Sequence, residues 1–375
     1  MTRPVNIAIV GCGGMGGGHA VALASGTGKA IWNVESLSDP RVILEPGSTD
    51  IAPLIHLSGV YDIDPGRNEW ARQKGIYVYD SYEAELQDPA VDAILIATPN
   101  HLHRDMAIAA MRSGKHVLCE KPVTPSVSEL MEILDVSRET GKLFYPRQNR
   151  RWDKDYLCAK KIYDQKLLGE IFSIECRITG SRGIPGDWRA QKQHGGGMLL
   201  DWGVHILDRL LIMVQEKVKT VYCRLTYATK KECDDGFQML LTFEGGLTAL
   251  LEVGTCHFIR HPIWYLAGSG GTAEIEDWAC HGRIVQPVVW NDRYAFPMEL
   301  GEGLSKTMAP RDASSIVELP LPDVEYDRNA LYANFAACVQ GRETPLITCD
   351  EALRTLRLME AAMRSNQENT VIAFE

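Results

Sequence analysis

The sequence predicts an α/β fold in two parts: a doubly wound parallel sheet, then an α+β region with a mostly antiparallel sheet. Over the first 150 residues, short apolar strands alternate with helices of about 10–15 residues, a rhythm typical of parallel sheets. Beyond residue 150, strands follow one another with few helices between them, as in antiparallel sheets. The length of 375 residues also exceeds what one hydrophobic core usually serves. We therefore expect two domains, residues 1–150 and 151–375.

The first region begins with a strand, a glycine-rich turn and a helix, and this unit then repeats. Residues 26–55 interrupt the repeat, because they are rich in turn residues, and they indicate an insertion. Strands are predicted at Val5–Val10, His56–Tyr61, Val91–Ala97, His116–Cys119 and Leu143–Tyr145, and helices at Met15–Ala24, Pro65–Lys74, His101–Ser113 and Ser126–Thr140.

Strand-like segments dominate the second region. Their apolar and β-branched residues favour a sheet with helices on one face. Strands are predicted at Ile171–Ile178, Val218–Thr226, Phe237–Phe243, Leu247–Val253 and Ile263–Ala267, and helices at Asp153–Gln165, Met198–Met213, Ala330–Gln340 and Asp350–Arg364.

Composition excludes several functional classes. A net charge of −10 argues against a surface for nucleic acid or anionic lipid. No apolar run approaches the ~20 residues that span a bilayer, and the first apolar run enters a glycine turn without a signal cleavage site. The ten cysteines form no CxxC pair and show no zinc spacing. We expect a soluble cytoplasmic protein with reduced thiols and no bound metal.

The glycine-rich turn fits the pattern G-x-G-x-x-G. It follows an apolar strand and opens a strand–helix–strand series, the context in which this pattern binds a dinucleotide in a Rossmann domain. One glycine permits the tight turn, the next lets the backbone approach a pyrophosphate, and the last lets the helix pack on the strand. The pyrophosphate is expected at the helix N-terminus, whose free N–H groups favour anions. The residues concerned are Gly11, Gly13, Gly14, Met15 and Gly16.

An acidic residue that binds the adenosine ribose is expected at the end of the second strand, ~20 residues after the turn. Glu35 stands near that distance but lies inside the turn-rich insertion. Asp62 follows an apolar strand, and the insertion accounts for its greater distance, so Asp62 is preferred; a helix cap is the alternative role. Because Ile63 follows it and no basic residue is adjacent to pair with a 2′-phosphate, the sequence favours NAD over NADP.

Two further segments decide the classification together with the glycine turn: Cys119-Glu120-Lys121-Pro122 and Gly195-Gly196-Gly197-Met198-Leu199-Leu200-Asp201-Trp202-Gly203-Val204-His205-Ile206-Leu207-Asp208. Two shorter segments add to them: Thr98-Pro99-Asn100-His101-Leu102-His103 and Asp187-Trp188-Arg189. In these segments the chain resembles the Gfo/Idh/MocA family of sugar and inositol dehydrogenases, and the resemblance covers nearly its whole length, least in residues 26–55 and about 280–325.

The resemblance implies a Rossmann domain followed by an α+β domain built on an open, mostly antiparallel sheet. It also implies that the sheet face joins subunits, so we expect a homo-oligomer. A small carbohydrate or glycoside is the expected substrate, with no nucleic-acid or membrane partner.

The resemblance places Asp201 and His205 in the substrate site. Their i, i+4 spacing puts both side chains on one helix face. His205 is the candidate general base, since an ordinary imidazole pKa of ~6.5 suits proton exchange at neutral pH. Asp201 would orient the imidazole or a neighbouring hydroxyl, or cap the helix. Lys121, at the carboxyl end of a strand, would stabilise the reacting oxygen, and Asp208 would hold the helix or a subunit contact.

The remaining candidates also come from the resemblance. It implies contacts with the nicotinamide and its ribose from the loop that follows the predicted strand Val91–Ala97 and from Glu120. A structural role is the alternative for Glu120. Either Arg150 or Arg151 is expected near the substrate, and Arg151 is the one selected here. Trp188 and Trp202 offer a wall for the C–H face of a sugar, or pack in the core. Cofactor contacts are expected at Thr98, Pro99, Asn100, His103, Glu120 and Lys121, and substrate contacts at Arg151, Trp152, Trp188, Arg189, Asp201 and His205.

Three functions are consistent with these residues. The first is an NAD-dependent dehydrogenase that oxidises one secondary hydroxyl of a sugar, inositol or glycoside, with some likeness to members that oxidise the 3-hydroxyl of glucosides. The second is a glycosidase that oxidises C3 transiently, eliminates the aglycone and reuses its NAD. The third is a non-catalytic NAD sensor, which the presence of Lys121 and His205 disfavours.

Overall fold

The computed structural model describes residues 3–25, 49–289, 298–306 and 310–375. In these residues the chain forms a five-stranded parallel sheet, a nine-stranded and mostly antiparallel sheet, and a two-stranded hairpin. The predicted fold class is therefore confirmed. Residues 26–48 of the expected insertion lie outside the described residues, so the insertion and the domain division at residue 150 stay predictions.

The first sheet has the strand order β2-β1-β3-β4-β5, with every neighbouring pair parallel. Its central strands are buried on both faces, which explains why they read as continuous apolar runs rather than as alternating patterns. Its strands are β1 (Val5–Val10), β2 (Ile55–Tyr61), β3 (Ala93–Ile96), β4 (His116–Cys119) and β5 (Phe144–Pro146), and its helices are α1 (Gly14–Ala24), α2 (Pro65–Gln73), α3 (Tyr82–Gln87), α4 (His103–Arg112) and α5 (Val127–Thr140).

This strand order creates one cleft for a ligand. Strand β1 lies between β2 and β3, so the chain winds in opposite directions on the two sides of β1. Ligands of such sheets bind outside the carboxyl ends of the strands at that switch point. Gly11, Thr98, Glu120 and Arg147 follow β1, β3, β4 and β5 at this edge.

The second sheet has the order β15-β12-β11-β10-β6-β9-β8-β7-β16, and β6 and β9 are its parallel pair. Buried and outward residues alternate along its strands, so one face packs on helices and the other faces outward. The strands are β6 (Ile171–Thr179), β7 (Val218–Thr226), β8 (Gly236–Phe243), β9 (Thr248–Gly254), β10 (Trp264–Gly268), β11 (Gly271–Ile275), β12 (Gly282–Pro287), β15 (Ile316–Pro320) and β16 (Ile372–Ala373), and the separate hairpin is β13 (Met298–Gly301) with β14 (Leu304–Lys306).

Four longer helices belong to this second part of the chain: α6 (Lys154–Asp164), α7 (Val204–Met213), α8 (Ala330–Val339) and α9 (Cys349–Glu368). A helix over Met198–Met213 was predicted, and the structure divides that segment into a wider π-helical turn, Leu199–Gly203, and α7. The short elements α3, β11, β12, β15 and β16 were not predicted, because none has a long periodic pattern.

Helix α8 packs on the first sheet although it comes from the second part of the chain. Its Leu331, Tyr332 and Phe335 are buried in one cluster with Ile7 and Ile9 of β1. The first sheet is therefore completed by a segment that lies far along the sequence. Among the described residues, no helix is both long and apolar enough to cross a lipid bilayer.

Candidate active site

The glycine turn combines two tight contacts with an open space. Gly11 has φ +89°, and a Cβ built on it would lie 2.7 Å from the carbonyl oxygen of Ala97. A Cβ on Gly16 would lie 1.8 Å from the carbonyl oxygen of Gly11, so the helix and strand can pack this closely only at glycine. A Cβ on Gly13 or Gly14 would meet no heavy atom within 4 Å.

Helix α1 begins at this open space. Gly13 is its N-cap, no side chain caps its first N–H groups, and Met15 follows in the first turn. Uncapped N–H groups beside a space bounded by glycines form a cradle for an anion. The turn therefore fits the pyrophosphate of a dinucleotide.

Asp62 lies at the end of β2, as expected, and its carboxylate braces the glycine turn. Its oxygens accept hydrogen bonds from the backbone N–H groups of Cys12 at 2.6 Å and Asp64 at 2.8 Å. Burial, and then the charge of Asp62, raise the pKa of the Cys12 thiol to about 11, while the charge of Arg67 opposes this rise. A basic side chain is thus close to this position, although the sequence shows none adjacent to Asp62.

Lys121, which follows β4, and Asp201, in the π-helical turn before α7, are brought together from the two parts of the chain. Lys121 donates hydrogen bonds to the Asp201 carboxylate at 2.7 Å and to its backbone carbonyl at 2.9 Å. Arg189 Nε also donates to the same carboxylate at 3.3 Å. Burial by itself would raise the pKa of Asp201, but the two cations outweigh it and hold that pKa below its usual value. Asp201 is therefore an anion that fixes the Lys121 ammonium.

His205 is buried one helical turn after Asp201. Burial, followed by the charges of Lys121 and Arg150, lowers its pKa well below the ordinary value. Its Nδ1 is buried without a hydrogen-bond partner among the described residues. A neutral imidazole can accept a proton at a ring nitrogen that a bound hydroxyl reaches.

The three glycines before Asp201 have backbone angles or close neighbours that leave no room for a side chain. Gly195 has φ +72°, and a Cβ on Gly196 would lie 2.2 Å from the carbonyl oxygen of Arg189. Gly197 has φ +109°, and a Cβ on it would lie 2.2 Å from Asp234 Oδ1. Asp234 in turn accepts a hydrogen bond from Leu199 N at 2.8 Å, which holds the start of the helix that carries Asp201 and His205.

The loop after β3 joins the two sheets. Thr98 and Pro99 are half-buried at the carboxyl edge, and Asn100 donates a hydrogen bond to the carbonyl of Gly195 at 2.8 Å. The ring nitrogens of His103 lie 3.0 Å from the carbonyl oxygen of Pro122 and 2.9 Å from that of Thr98. With both nitrogens against backbone carbonyls, His103 positions the loop, and its expected contact with the cofactor stays a prediction.

Glu120 belongs to a buried polar network. Its Oε1 lies 2.7 Å from His19 Nε2 and accepts a hydrogen bond from Arg147 at 2.7 Å, and His19 Nδ1 contacts the hydroxyl of Tyr332. Burial would raise the pKa of Glu120, but Arg147 and His19 hold it well below its usual range. The network ties the residue before Lys121 to α1 and α8. The alternative structural role of Glu120 is thus the one these contacts describe.

The choice of Arg151 for the substrate needs correction. Arg151 is buried and pairs with both carboxylate oxygens of Asp208, at 2.6 and 2.8 Å, and with Glu351 at 2.9 Å. Its guanidinium is committed to holding α7 and α9 together, which also explains Asp208. Arg150 is partly exposed, and its charge helps to lower the pKa of His205, so of the two arginines left open by the sequence Arg150 is the one that is free of buried carboxylate partners on α7 and α9. Trp152 packs against the core of the first sheet.

Aromatic rings surround this arginine. Arg150 Cζ lies 4.4 Å from the ring centre of Trp202 and 4.9 Å from that of Trp278. Trp202 also meets the His205 ring edge-on, at 5.8 Å between centroids. Trp188 is half-buried, and its ring centre lies 4.6 Å from the Cζ atom of Arg189 rather than next to Arg150.

Sequence reasoning missed Trp278, His19 and Tyr332. Trp278 follows β11 in a segment without a motif, so no signal identified it. His19 carried one signal, since it is a polar residue on the otherwise apolar and glycine-rich α1. Within the described part of the chain, no group of three or more His, Cys, Asp or Glu side chains is placed to hold a metal.

Comparison with known proteins assigns the two parts of the chain. Residues 5–147 match the oxidoreductase family with an NAD-binding Rossmann fold, and residues 156–274 match the GFO/IDH/MocA C-terminal domain. An NAD-binding protein from Listeria innocua has a solved structure with 40% identity and a TM-score of 0.82, over 99% of this chain and 97% of that one.

Two curated relatives are named dehydrogenases. The scyllo-inositol 2-dehydrogenase (NADP(+)) of Bacillus subtilis is 26% identical over 305 residues, which is 80% of this chain and 83% of that protein. The levoglucosan dehydrogenase of Pseudarthrobacter phenanthrenivorans is 28% identical over 217 residues, or 56% and 52% of the two chains. Because both parts match and the glycine cradle fits a dinucleotide, the chain belongs to the Gfo/Idh/MocA family of NAD(P)-dependent oxidoreductases.

Proposed function

We propose that this enzyme transfers a hydride between NAD and one secondary hydroxyl carbon of a sugar- or inositol-like substrate. The observation that carries the proposal is the Lys121–Asp201 ion pair next to a neutral, buried His205, at the carboxyl edge that also holds the glycine cradle. The names of the two dehydrogenase relatives support this substrate class.

In the proposed reaction, His205 accepts the proton of the substrate hydroxyl during oxidation and returns it during reduction. Its lowered pKa keeps the imidazole neutral at physiological pH but makes it a weaker base than the ordinary pKa expected from the sequence, so proton acceptance relies on Lys121 stabilising the developing alkoxide. The bound nicotinamide supplies the site that accepts or donates the hydride.

Lys121 stabilises the negative charge that develops on the reacting oxygen. Asp201 holds the ammonium through two hydrogen bonds, so little reorganisation is needed when this charge appears. Arg189 fixes the other oxygen of the Asp201 carboxylate, and the ion pair therefore keeps one geometry.

NAD is the proposed cofactor. Asp62, at the end of β2, is expected to bind the ribose 2′-hydroxyl of NAD and to repel a 2′-phosphate. Arg67 lies close enough to act on the same glycine turn, and one relative is named for NADP(+), so both cofactors belong in the assay. Tighter binding of NADP than of NAD would overturn this part of the proposal.

The test follows NADH formation with free sugars, inositols and aryl glycosides, for the wild type and for Lys121→Met. We expect steady turnover with one of these substrates and a loss of about 10²–10⁴-fold in kcat in the variant, since one charged catalytic group is removed. Lys142→Met is the control, because Lys142 precedes β5 at the opposite edge of the sheet.

Three outcomes would contradict the proposal. Near-normal turnover by Lys121→Met would remove Lys121 from the mechanism. Catalytic release of an aglycone with a spectral change limited to one equivalent of bound cofactor would favour the NAD-recycling glycosidase. Bound cofactor that no substrate oxidises or reduces would favour the sensor.

A homo-oligomer built through the outer face of the second sheet is also proposed. Tyr222, Leu240 and Leu250 are neighbours across three strands of this face, and Leu240 is 43% exposed. An apolar row on an open sheet face suits contact with a second copy. Sedimentation velocity of the Leu240→Glu variant tests this, and an unchanged mass would count against it.

The proposed compartment is the cytoplasm. All ten cysteines are free thiols, and six of them are buried, which suits a reducing environment. Fractionation of cells that express the protein would check this location.

A further inference from the structure

Arg150 is held in a fixed orientation beside the candidate site. Its guanidinium lies over the rings of Trp202 and Trp278, and its Nη1 donates a hydrogen bond to Asp153 at 2.7 Å. Among the described residues, Asp153 is its one hydrogen-bond partner, so the remaining N–H groups are free to meet a ligand. The side chain is 26% exposed and is therefore accessible.

The neighbouring arginines are used differently. Arg147, Arg151 and Arg209 are buried, and each pairs with a buried carboxylate. These three have structural partners already, whereas Arg150 combines exposure, aromatic support and free donors.

The charge around Arg150 is not balanced. Asp153 is shared, because Arg328 also donates to its carboxylate, at 3.1 Å. This hydrogen-bonded group of two arginines and one carboxylate carries one net positive charge, and the neighbouring Asp155 is paired with Arg209 at 3.1 Å. The whole chain has a net charge of −10, so a local positive charge here stands out against the overall acidity.

Arg150 is also near the reacting group. Trp202 contacts both the Arg150 guanidinium and the His205 ring, so the two functional groups lie on one aromatic side chain. The charge of Arg150 is among those that lower the pKa of His205, which agrees with this proximity. A sugar-sized molecule that presents a hydroxyl to His205 is therefore long enough to reach Arg150 with another substituent.

We propose that the substrate carries an anionic group, a carboxylate or a phosphate, and that Arg150 binds this group. The inference rests on the proposed function and narrows its substrate class to acidic or phosphorylated sugars and cyclitols. Planar guanidinium groups bind both anions through paired hydrogen bonds, and the rings of Trp202 and Trp278 hold the plane in place.

The test is calorimetric titration of the NADH-loaded protein, which cannot oxidise a hydroxyl substrate, with glucose, glucuronate and glucose 6-phosphate. We expect one of the two anionic sugars to bind at least about 10-fold more tightly than glucose. In Arg150→Met this preference should disappear, while the affinity for glucose changes less than about 3-fold. The anion that binds more tightly identifies the carboxylate or the phosphate as the recognised group.

Arg328→Met is the matched control. Arg328 pairs with the same Asp153 carboxylate, and its side chain is similarly exposed, at 29%. Within the described part of the chain, it is Arg150 and not Arg328 that lies over the rings of Trp202 and Trp278. This variant should keep the preference for the anionic sugar. Circular dichroism melting of both variants shows whether either has lost its fold.

Two results would overturn the inference. In the first, neither anionic sugar binds more tightly than glucose to the wild type. In the second, both variants lose the preference equally, which would make the charge around Asp153 a general structural feature. Because binding is measured without turnover, hydride transfer is tested separately, and a failure of the proposed function is distinguishable from a failure of this subsite.

Discussion

Two glycine-rich turns in this chain look alike in sequence but differ in what surrounds their glycines. In Gly11–Gly16, a Cβ on Gly13 or Gly14 would enter open space in front of α1. In Gly195–Gly197, a Cβ would meet the protein at every position, at distances of 2.2 to 3.0 Å. The first turn leaves room for a ligand, and the second leaves room for the rest of the chain. A run of glycines therefore marks a close approach, but only the structure shows what approaches.

The largest expected effect is at Gly197. Gly197→Ala should lower the free energy of unfolding by about 2–6 kcal/mol, since it adds both left-handed backbone strain and a clash with Asp234. Urea unfolding followed by circular dichroism measures the change. Gly246→Ala is the control, because Gly246 has φ +91° and a Cβ added to it would meet no heavy atom within 4 Å. Equal losses in the two variants would show that the contact with Asp234 is unimportant.

The Gly13→Ala variant tests whether the open space of the first turn binds the cofactor. Gly13 has φ −70° and ψ −153°, within about 30° of the β region that alanine adopts, and its Cβ would touch no heavy atom within 4 Å. We expect the free energy of unfolding without cofactor to change by less than about 1 kcal/mol. The affinity for NAD should fall at least about 10-fold, because the methyl group occupies the place where the backbone approaches the pyrophosphate. Unchanged NAD affinity would mean that the open space is not the cradle.

An effect smaller than the one at Gly197 is expected at Asp234, which supports the second turn. Burial raises the pKa of this carboxyl to about 6, so its favourable contribution is complete below about pH 4 and is lost as the pH rises through 6. Asp234→Asn should remove this pH dependence, worth at most about 3 kcal/mol, and Asn keeps an oxygen for Leu199 N. Urea unfolding at about pH 4.5 and about pH 7.5 measures both proteins on the two sides of that pKa. A wild type and variant with parallel pH profiles would contradict the assignment.

Much of the fold was predictable because strong local patterns determine it. The strands β1, β4 and β7 begin and end at the predicted residues, since each is a clear apolar or β-branched run. The later elements β11 to β16 were missed because they are short. Strands β15 and β16 also pair with strands distant in sequence, β12 and β7, whereas β11 to β14 each pair with a sequence neighbour.

The candidate site divides in the same way. The family resemblance led to Lys121 and Asp201, and the structure places their side chains in contact. The choice between Arg150 and Arg151 could not be made from sequence. These residues are adjacent in one short turn, and Asp208 and Glu351, which capture Arg151, come from α7 and α9. A partner so far along the chain leaves no local signal.

The packing of α8 on the first sheet has a consequence for how this protein can be recombined. Tyr332 and its neighbours on α8 complete the core around β1 and reach His19 of the cofactor-binding helix. The cofactor half is therefore not a continuous piece of sequence. An exchange of nucleotide specificity between relatives would have to transplant α8 together with the first strands, and a swap made at residue 150 alone would join mismatched halves.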